Sequence, residues 1–290
     1  MQVLTFSDAG TFAERVLPWI ARDPIANNVL ATTVQAVVAG QRSYANALWL
    51  TVTDDAGDLA GAAMQTPPHA LFLGPMAGPM VGPMVGTAVG ALVEAVLELR
   101  PTLHGVNGVV AAAFAAEWAG RSEATATLGR ELRLCALDTV VPPPPVPGEC
   151  RPATPADRSL LLGWSLAFHH ETAPAHPPDG LAEVVDSRLA AGAYLLWSVE
   201  GRAVCFAGVS PPVAGVARIG PVYTPPADRR RGYAGACVAA ATQLALDGGA
   251  RQDMLYTDLA NPTSNAIYQR IGYRPVCDAH EYAFSYPPTR

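Results

Sequence analysis

The chain has 290 residues, half of them hydrophobic and only 15% charged, with a formal charge of −6 at neutral pH. That length and apolar content suit one large domain or two ordinary ones and exclude bulk disorder. The acidic balance argues against a general nucleic-acid binder, whose hold on phosphate rests on a net basic surface.

The five cysteines (Cys135, Cys150, Cys205, Cys237, Cys277) are scattered and odd in number, with no CxxC pair. They suit a reduced protein with buried thiols rather than a disulfide framework. The opening "MQVLTFSDAGTFAERV" carries acidic residues early and lacks a charged-then-apolar leader pattern. The apolar stretch from Val81 to Leu99 is broken by Pro83 and glycines and carries Glu94 and Glu98, so it does not read as a membrane span. A cytoplasmic protein without membrane or nucleic-acid partners is expected.

In the first half, "NALWLTVTD" and "LAGAAMQTP" form a candidate hairpin, followed by the strand "HALFLGPM". "VGTAVGALVEAVLELR" and "VVAAAFAAEWAG" read as helices and "LRLCALDTV" as a strand. A repeat, "GPMAGPMVGPMVG", begins at Gly74. Its Met76, Met80 and Met84 could suggest a thioether site for soft copper. The interleaved prolines forbid the helix that would align them, so the repeat reads as a loop and no metal is expected.

"VVPPPPVPGEC", residues 140–150, cannot sit inside a helix or sheet, because consecutive prolines lack N–H donors. It divides the chain into domains at 1–140 and 151–290, joined by a proline-rich linker over 141–150. After it, "AYLLWSVEG" and "RAVCFAGVSP" read as strands meeting at Glu200-Gly201. "ARIGPVYT" is a third strand, stopped by Pro225-Pro226. The helix "YAGACVAAATQLALDGG" ends at Gly248-Gly249, and "DMLYTDL" is a strand. Asn261 is placed to cap a short helix with Pro262 at its first position, ending at Gly272. "YRPVC" and "EYAFSY" read as closing strands.

Between the third strand and its helix stands "PPADRRRGYAGA". The first N–H groups of a helix lack intrahelical partners and sit at the positive end of its dipole. An anion there is bound by backbone, which demands small residues for close approach. Gly232, Ala234 and Gly235 keep that approach open, while Arg229, Arg230 and Arg231 add charge. No GxxxxGK[ST] is present, and no GxGxxG opens the first strand–helix unit.

The segment "PVYTPPADRRRGYAGACVAAATQLAL" contains R-x-x-G-x-A, Arg229 to Ala234, and resembles the acyl-CoA pyrophosphate motif of GCN5-related N-acetyltransferases, [RQ]-x-x-G-x-[GA]. "TDLANPTSNAIYQRIGYRPV" is similar to the family's next motif, N-x-x-x-N-x-x-Y-x-x-x-G-[FY]. The first half has the same rhythm of elements but neither motif. The whole therefore resembles a tandem-domain acetyltransferase with a degenerate N-terminal copy. The fold class implied is α/β (α+β), with two domains, each a mixed and mostly antiparallel sheet flanked by helices.

The resemblance implies acetyl-CoA as co-substrate and a small-molecule or peptide amine as acceptor. Val222, Tyr223 and Thr224 would hold the pantetheine arm by backbone, with a main-chain N–H near Val222 polarising the thioester carbonyl. The turn from Arg229 through Tyr233 to Gly235 would hold the pyrophosphate, and Asn261 and Asn265 would reach the cofactor. Tyr268, three residues after Asn265, would protonate the departing thiolate. It also suits a packing role against the sheet. For the base, "FHHETAPAH" (168–176) offers Glu171, with His169 or His170 as alternatives, and deprotonation through water or in solution stays open. That cluster lacks HExxH spacing, so zinc is not expected. A CoA-binding sensor without turnover is the rival reading.

Overall fold

A computed structural model describes residues 1–76, 83–172, 178 and 180–287. In chain order the elements are β1 (Gln2–Phe6), α1 (Ala9–Ile20), α2 (Asn28–Val38), β2 (Leu48–Thr53), β3 (Leu59–Gln65), β4 (Leu71–Leu73), α3 (Pro83–Leu99), β5 (Gly105–Gly108), α4 (Ala111–Arg121) and β6 (Thr125–Leu137). There follow β7 (Glu149–Pro152), α5 (Arg158–Thr172), α6 (Leu181–Ala190), β8 (Tyr194–Val199), β9 (Arg202–Val213), β10 (Val216–Tyr223), α7 (Tyr233–Asp247), β11 (Gln252–Asp258), α8 (Pro262–Ile271) and β12 (Arg274–Ser285). Contacts group these into two units: Met1–Leu134 with Thr257–Ala260 and the residues from Val276 on, and Cys135–Tyr256 with Asn261–Pro275.

The first unit builds its sheet in the order β1-β2-β3-β4-β5-β12. Neighbours are antiparallel except β4 and β5. Period-2 alternation sorts β2: Leu48, Leu50 and Val52 join the core cluster of Leu92, Val96, Phe114 and Trp118 from α3 and α4. Trp49 turns to the opposite face, where its ring lies 5.3 Å from that of Phe12 on α1. Asp8 caps α1 by accepting the Thr11 N–H at 2.9 Å. β6 follows β12 in the strand order, and β12 pairs along β5, with Tyr282 opposite Val106. Beyond it, the Tyr286 hydroxyl takes the Leu103 N–H and the Trp118 Nε1–H and donates to the Leu103 carbonyl.

The second unit orders its strands β11-β10-β9-β8-β7, antiparallel except for β10 with β11. α7 supplies Cys237, Val238 and Ala241 to a core with Val204, Leu255 and Tyr273. α5 and α6 cover a second cluster around Leu161, Val185, Tyr194, Leu196 and Phe206. The proline-rich stretch is bound to this unit: Val140 and Val146 pack on its core, the Val141 N–H donates to Ile271, and Trp197 Nε1–H donates to the Pro147 carbonyl.

Five sequence expectations change. Glu149 and Cys150, at the non-proline end of the stretch over 140–150, join β7. Residues 83–86 of the repeat open α3, since a proline is tolerated at the first position of a helix. "HALFLGPM" contracts to the three residues of β4. "YRPVC" and "EYAFSY" are one strand, β12. The last strand groups with the first unit, whereas a boundary at 150 leaves it with the second half. Met76 is buried in the first core, while Met80 and the rest of the repeat up to residue 82 lie outside the described residues. Among the described residues, no helix is long and apolar enough to cross a membrane, and no cluster of His, Cys, Asp or Glu could hold a metal ion.

Candidate active site

β10 and β11 pair in parallel only from Val216–Gln252 to Arg218–Met254, although β10 continues to Tyr223 and β11 to Asp258. Past Arg218 the two strands part. Against β9, the register of β10 breaks between Ile219 and Val222, a bulge containing Gly220 and Pro221. Bulges bend and re-aim a strand, and Pro221 brings no N–H to any ladder. The bent segment is held from outside: Arg188 Nη1 donates to the Gly220 carbonyl at 2.7 Å. Gly208 lets the chains approach, since a Cβ there would stand 2.7 Å from the same oxygen. Val222 and Tyr223 still pair with Ala207 and Phe206 of β9, leaving their other edge facing the wedge. Thr224, at the wedge mouth, has a buried Oγ1 with no partner among the described residues.

The turn to α7 is built on Asp228, which is 4% exposed. Arg202 grips it in a two-pronged ion pair, both bonds at 2.8 Å, and these bonds hold its carboxyl below the usual range. After it the chain turns left-handed at Arg230 (φ 62°) and again at Gly232 (φ 84°), the residue that caps α7. Left-handed residues leading into a helix N-terminus make backbone anion nests. A Cβ on Gly232 would meet Val146 Cγ1 at 2.9 Å as well as strain the backbone. Ala234 is partly buried in the core, and Gly235 is buried beside Ile267 of α8, where a Cβ would make only an ordinary contact at 3.7 Å.

The three arginines do not act as a block. Arg229 folds back, Nε donating to the Thr224 carbonyl at 2.9 Å and Nη2 to both Glu171 oxygens at 2.6 and 2.8 Å. Its guanidinium also stands 5.7 Å above the Tyr223 ring. Arg230 and Arg231 are exposed at the turn, and Arg231 adds to the positive field on Asp228. Tyr233 is buried in the α7 core, so it anchors the helix start.

α8 begins as expected, with Asn261 Oδ1 accepting the Ser264 N–H at 3.1 Å, and Asn265 N–H bonding to the Asn261 carbonyl. Its Gly272 is left-handed at φ 117°. Tyr268 packs against the core that α7 builds, edge-on to Tyr273 at 6.0 Å, and the residue is partly buried. Burial, then the Cys205 and Cys135 thiols, push its hydroxyl pKa far up, so it stays protonated. No hydrogen bond holds that hydroxyl among the described residues.

Glu171 lies in the last turn of α5, where it accepts the Tyr223 hydroxyl at 3.4 Å as well as Arg229. The carboxylate proposed as a base is therefore already in an ion pair about half open to solvent, with side-chain exposures of 42% for Arg229 and 46% for Glu171. His169 and His170 stand edge-on at 6.1 Å on the same helix, and residues 173–176 of that stretch lie outside the described residues. Behind Glu171, Trp164, Phe206 and Tyr223 form a run of rings. The sequence by itself shows nothing of the Arg202–Asp228 or Arg229–Glu171 pairs, whose members stand far apart along the chain. It also missed Asp253, wholly buried on β11.

Residues 162–273 match the model of the "Acetyltransferase (GNAT) family". A search of curated proteins returned no match. Among solved structures, the chain is similar to a GCN5-related N-acetyltransferase from Sphaerobacter thermophilus, with TM-score 0.62 and 15% identity over 99% of this chain and 97% of that one. A GCN5-related N-acetyltransferase from Kribbella flavida gives 0.55 and 20%, over 91% and 96%. A tandem GNAT protein from the clavulanic acid biosynthesis pathway gives 0.58 and 12%, over 99% and 100%.

Proposed function

With a GNAT domain in its second half and the GNAT fold along its length, we propose that the chain is an acetyl-CoA-dependent N-acetyltransferase with one cofactor site, in the second unit. The observation that carries this reading is the wedge where β10 leaves β11, opening at the left-handed turn into α7. An acyl-CoA needs these two features together. An extended pantetheine arm can add to the free edge of Val222–Thr224 as a strand does, and a pyrophosphate can sit on backbone N–H groups. The orphaned Thr224 Oγ1 gives the arm a further polar contact. Acetyl-CoA supplies an activated acyl group; the protein positions it and manages protons.

Tyr268 is the proton donor in this proposal. Burial keeps its hydroxyl protonated but also makes it a weaker acid; what supports the role is that, among the described residues, no acceptor holds the hydroxyl, which leaves it free to donate to a leaving thiolate. Glu171, tied to Arg229 and Tyr223, places negative charge beside the run of rings, which suits attraction of a cationic amine at least as well as proton removal. The acceptor proposed is a small-molecule or peptide amine. Transfer is direct: the neutral amine attacks the acyl carbon, and the C–N bond forms as the C–S bond breaks. Tyr268 protonates the thiolate so that CoA leaves as a thiol, and the proton lost by the amine nitrogen returns through water to the tyrosine.

Titration calorimetry with acetyl-CoA and CoA, paired with thiol release over an amine panel, tests this. Binding with amine-dependent release is expected. Binding with no release for any amine supports the sensor reading instead. The chain contains no lysine, so labelled acetyl-CoA should leave no stable label on its side chains. Stoichiometric labelling would overturn direct transfer in favour of an acyl-enzyme.

A further inference from the structure

Between the pairs Ile219–Val209 and Val222–Ala207, β10 carries two residues, Gly220 and Pro221, where β9 carries only Gly208. One extra residue reverses the alternation of faces along a strand. Ile219, before the bulge, belongs to the core that α7 builds. Unbroken alternation would send Tyr223, four residues on, to the same core. Instead Val222 packs on that core, and Tyr223 belongs to the cluster covered by α5 and α6. On that side its hydroxyl reaches Glu171 at 3.4 Å, and its ring stands 6.3 Å from that of Trp164.

A side chain of α6 reaches into this bulge. Arg188 comes three positions after the buried Val185, on the same face of the helix. Its Nη1 donates to the Gly220 carbonyl at 2.7 Å. The arginine is itself anchored to the strand opposite. Its own carbonyl accepts the Ala193 N–H at 2.9 Å, and the Ala193 carbonyl accepts the Val209 N–H at 2.9 Å. Next to Val209 stands Gly208, where a Cβ would lie 2.7 Å from the Gly220 oxygen and 2.8 Å from Arg188 Nη1. The missing side chain there leaves the guanidinium its path to the carbonyl.

We propose that Arg188 is a positioning residue whose bond to the Gly220 carbonyl fixes the bulge in β10. The bulge then turns the Val222–Thr224 edge toward the cofactor wedge and delivers the Tyr223 hydroxyl to Glu171. Arg188 acts through β10 and not by contact with either substrate. One bond from α6 thereby sets the geometry of both the cofactor side and the acceptor side. This inference rests on the acetyl-CoA reading above.

The test is acetyl-CoA affinity by calorimetry, with thermal melts to confirm folding, for wild type, Arg188→Met, Arg188→Lys, Gly208→Ala and the Arg188→Met/Gly208→Ala double variant. Arg188→Met keeps the stem but removes the donor, and should weaken binding about tenfold. Arg188→Lys restores a cationic donor and should recover part of that loss. Gly208→Ala crowds the same bond from the other strand and should weaken binding about threefold. Because both changes break one contact, the double variant should lose little more than Arg188→Met alone. Wild-type affinity in a folded Arg188→Met overturns the inference, as does wild-type affinity in Gly208→Ala where the methionine variant does not fold. A lysine variant as weak as the methionine one, or additive losses in the double variant, would make Arg188 a packing residue and overturn it too. A wild type that binds no acetyl-CoA overturns the acetyl-CoA reading and this inference with it.

Discussion

The runs β4–α3–β5–α4 and β10–α7–β11–α8 repeat one order of elements in the two units, and they diverge at the strand pair. In the first unit β4 is paired with β5 at every residue, Leu71–Val106 through Leu73–Gly108. Gly108 lies so close to the Leu73 carbonyl that no side chain would fit, and Met76 is buried against Gly61. In the second unit β10 runs on past its last β11 partner, with a bulge and the Arg188 bond to Gly220 on that segment. A second contrast follows the same line: among the described residues, the buried carboxylates are Asp228 and Asp253, both in the second unit. Closed, the arrangement needs only apolar packing. The unit with the open ladder also carries charged groups inside the protein, at a cost to stability.

The comparison breaks most decisively at the helix starts. Gly232→Glu puts bulk and negative charge on the nest and should weaken acetyl-CoA binding at least ~100-fold. Gly86→Glu on α3, where nothing stands within 4 Å of the added Cβ, should change nothing. Equal effects of the two, by calorimetry on folded variants, would remove the assignment of one site to the second unit. Next, Tyr268→Phe should cut turnover ~100-fold while acetyl-CoA affinity holds within about twofold. Parallel losses in both would make Tyr268 a packing residue.

Met76→Ala sharpens the other side. It should cost the first unit about 2–4 kcal/mol in denaturant melts, from lost burial and the cavity left behind, with cofactor affinity unchanged. Smaller still, Arg202→Ala strands the Asp228 carboxylate and should lower the melting midpoint slightly, with a modest loss of affinity. The pH response belongs to the second unit too. Asp228 is held below its ordinary value, so its contribution is present above about 4 and fades as pH falls through its depressed folded value. Asp253, raised to about 8, works the other way: its contribution declines as pH rises from the ordinary carboxylate range toward 8. Melts of Asp253→Asn should lack that decline; an unchanged slope would show that another group causes it.

Local signals explain what the sequence made legible. Asn261 with Pro262, and Gly272 closing the same helix, are caps whose chemistry lies within a few residues. The turn at Arg229–Gly235 was readable for the same reason, as small residues between a strand and a helix. What stayed hidden depends on distant partners. Glu171 meets Arg229 across 58 positions, and that pairing changes the role of both side chains. Asp253 sits in "DMLYTDL" as one polar letter in a strand, with nothing local to show that it is buried. β12 joins β5 across more than 160 residues, and no periodicity encodes a partner that far away.

That last pairing bears on how the chain is made. The residues from Val276 on are synthesised only after the whole of the second unit. Until then β5 lacks its β12 neighbour, and Trp118 and Leu103 lack the Tyr286 hydroxyl. An unpaired strand edge is a place where nascent chains join one another. The first unit, though translated first, lacks its β12 strand until the second unit has been made.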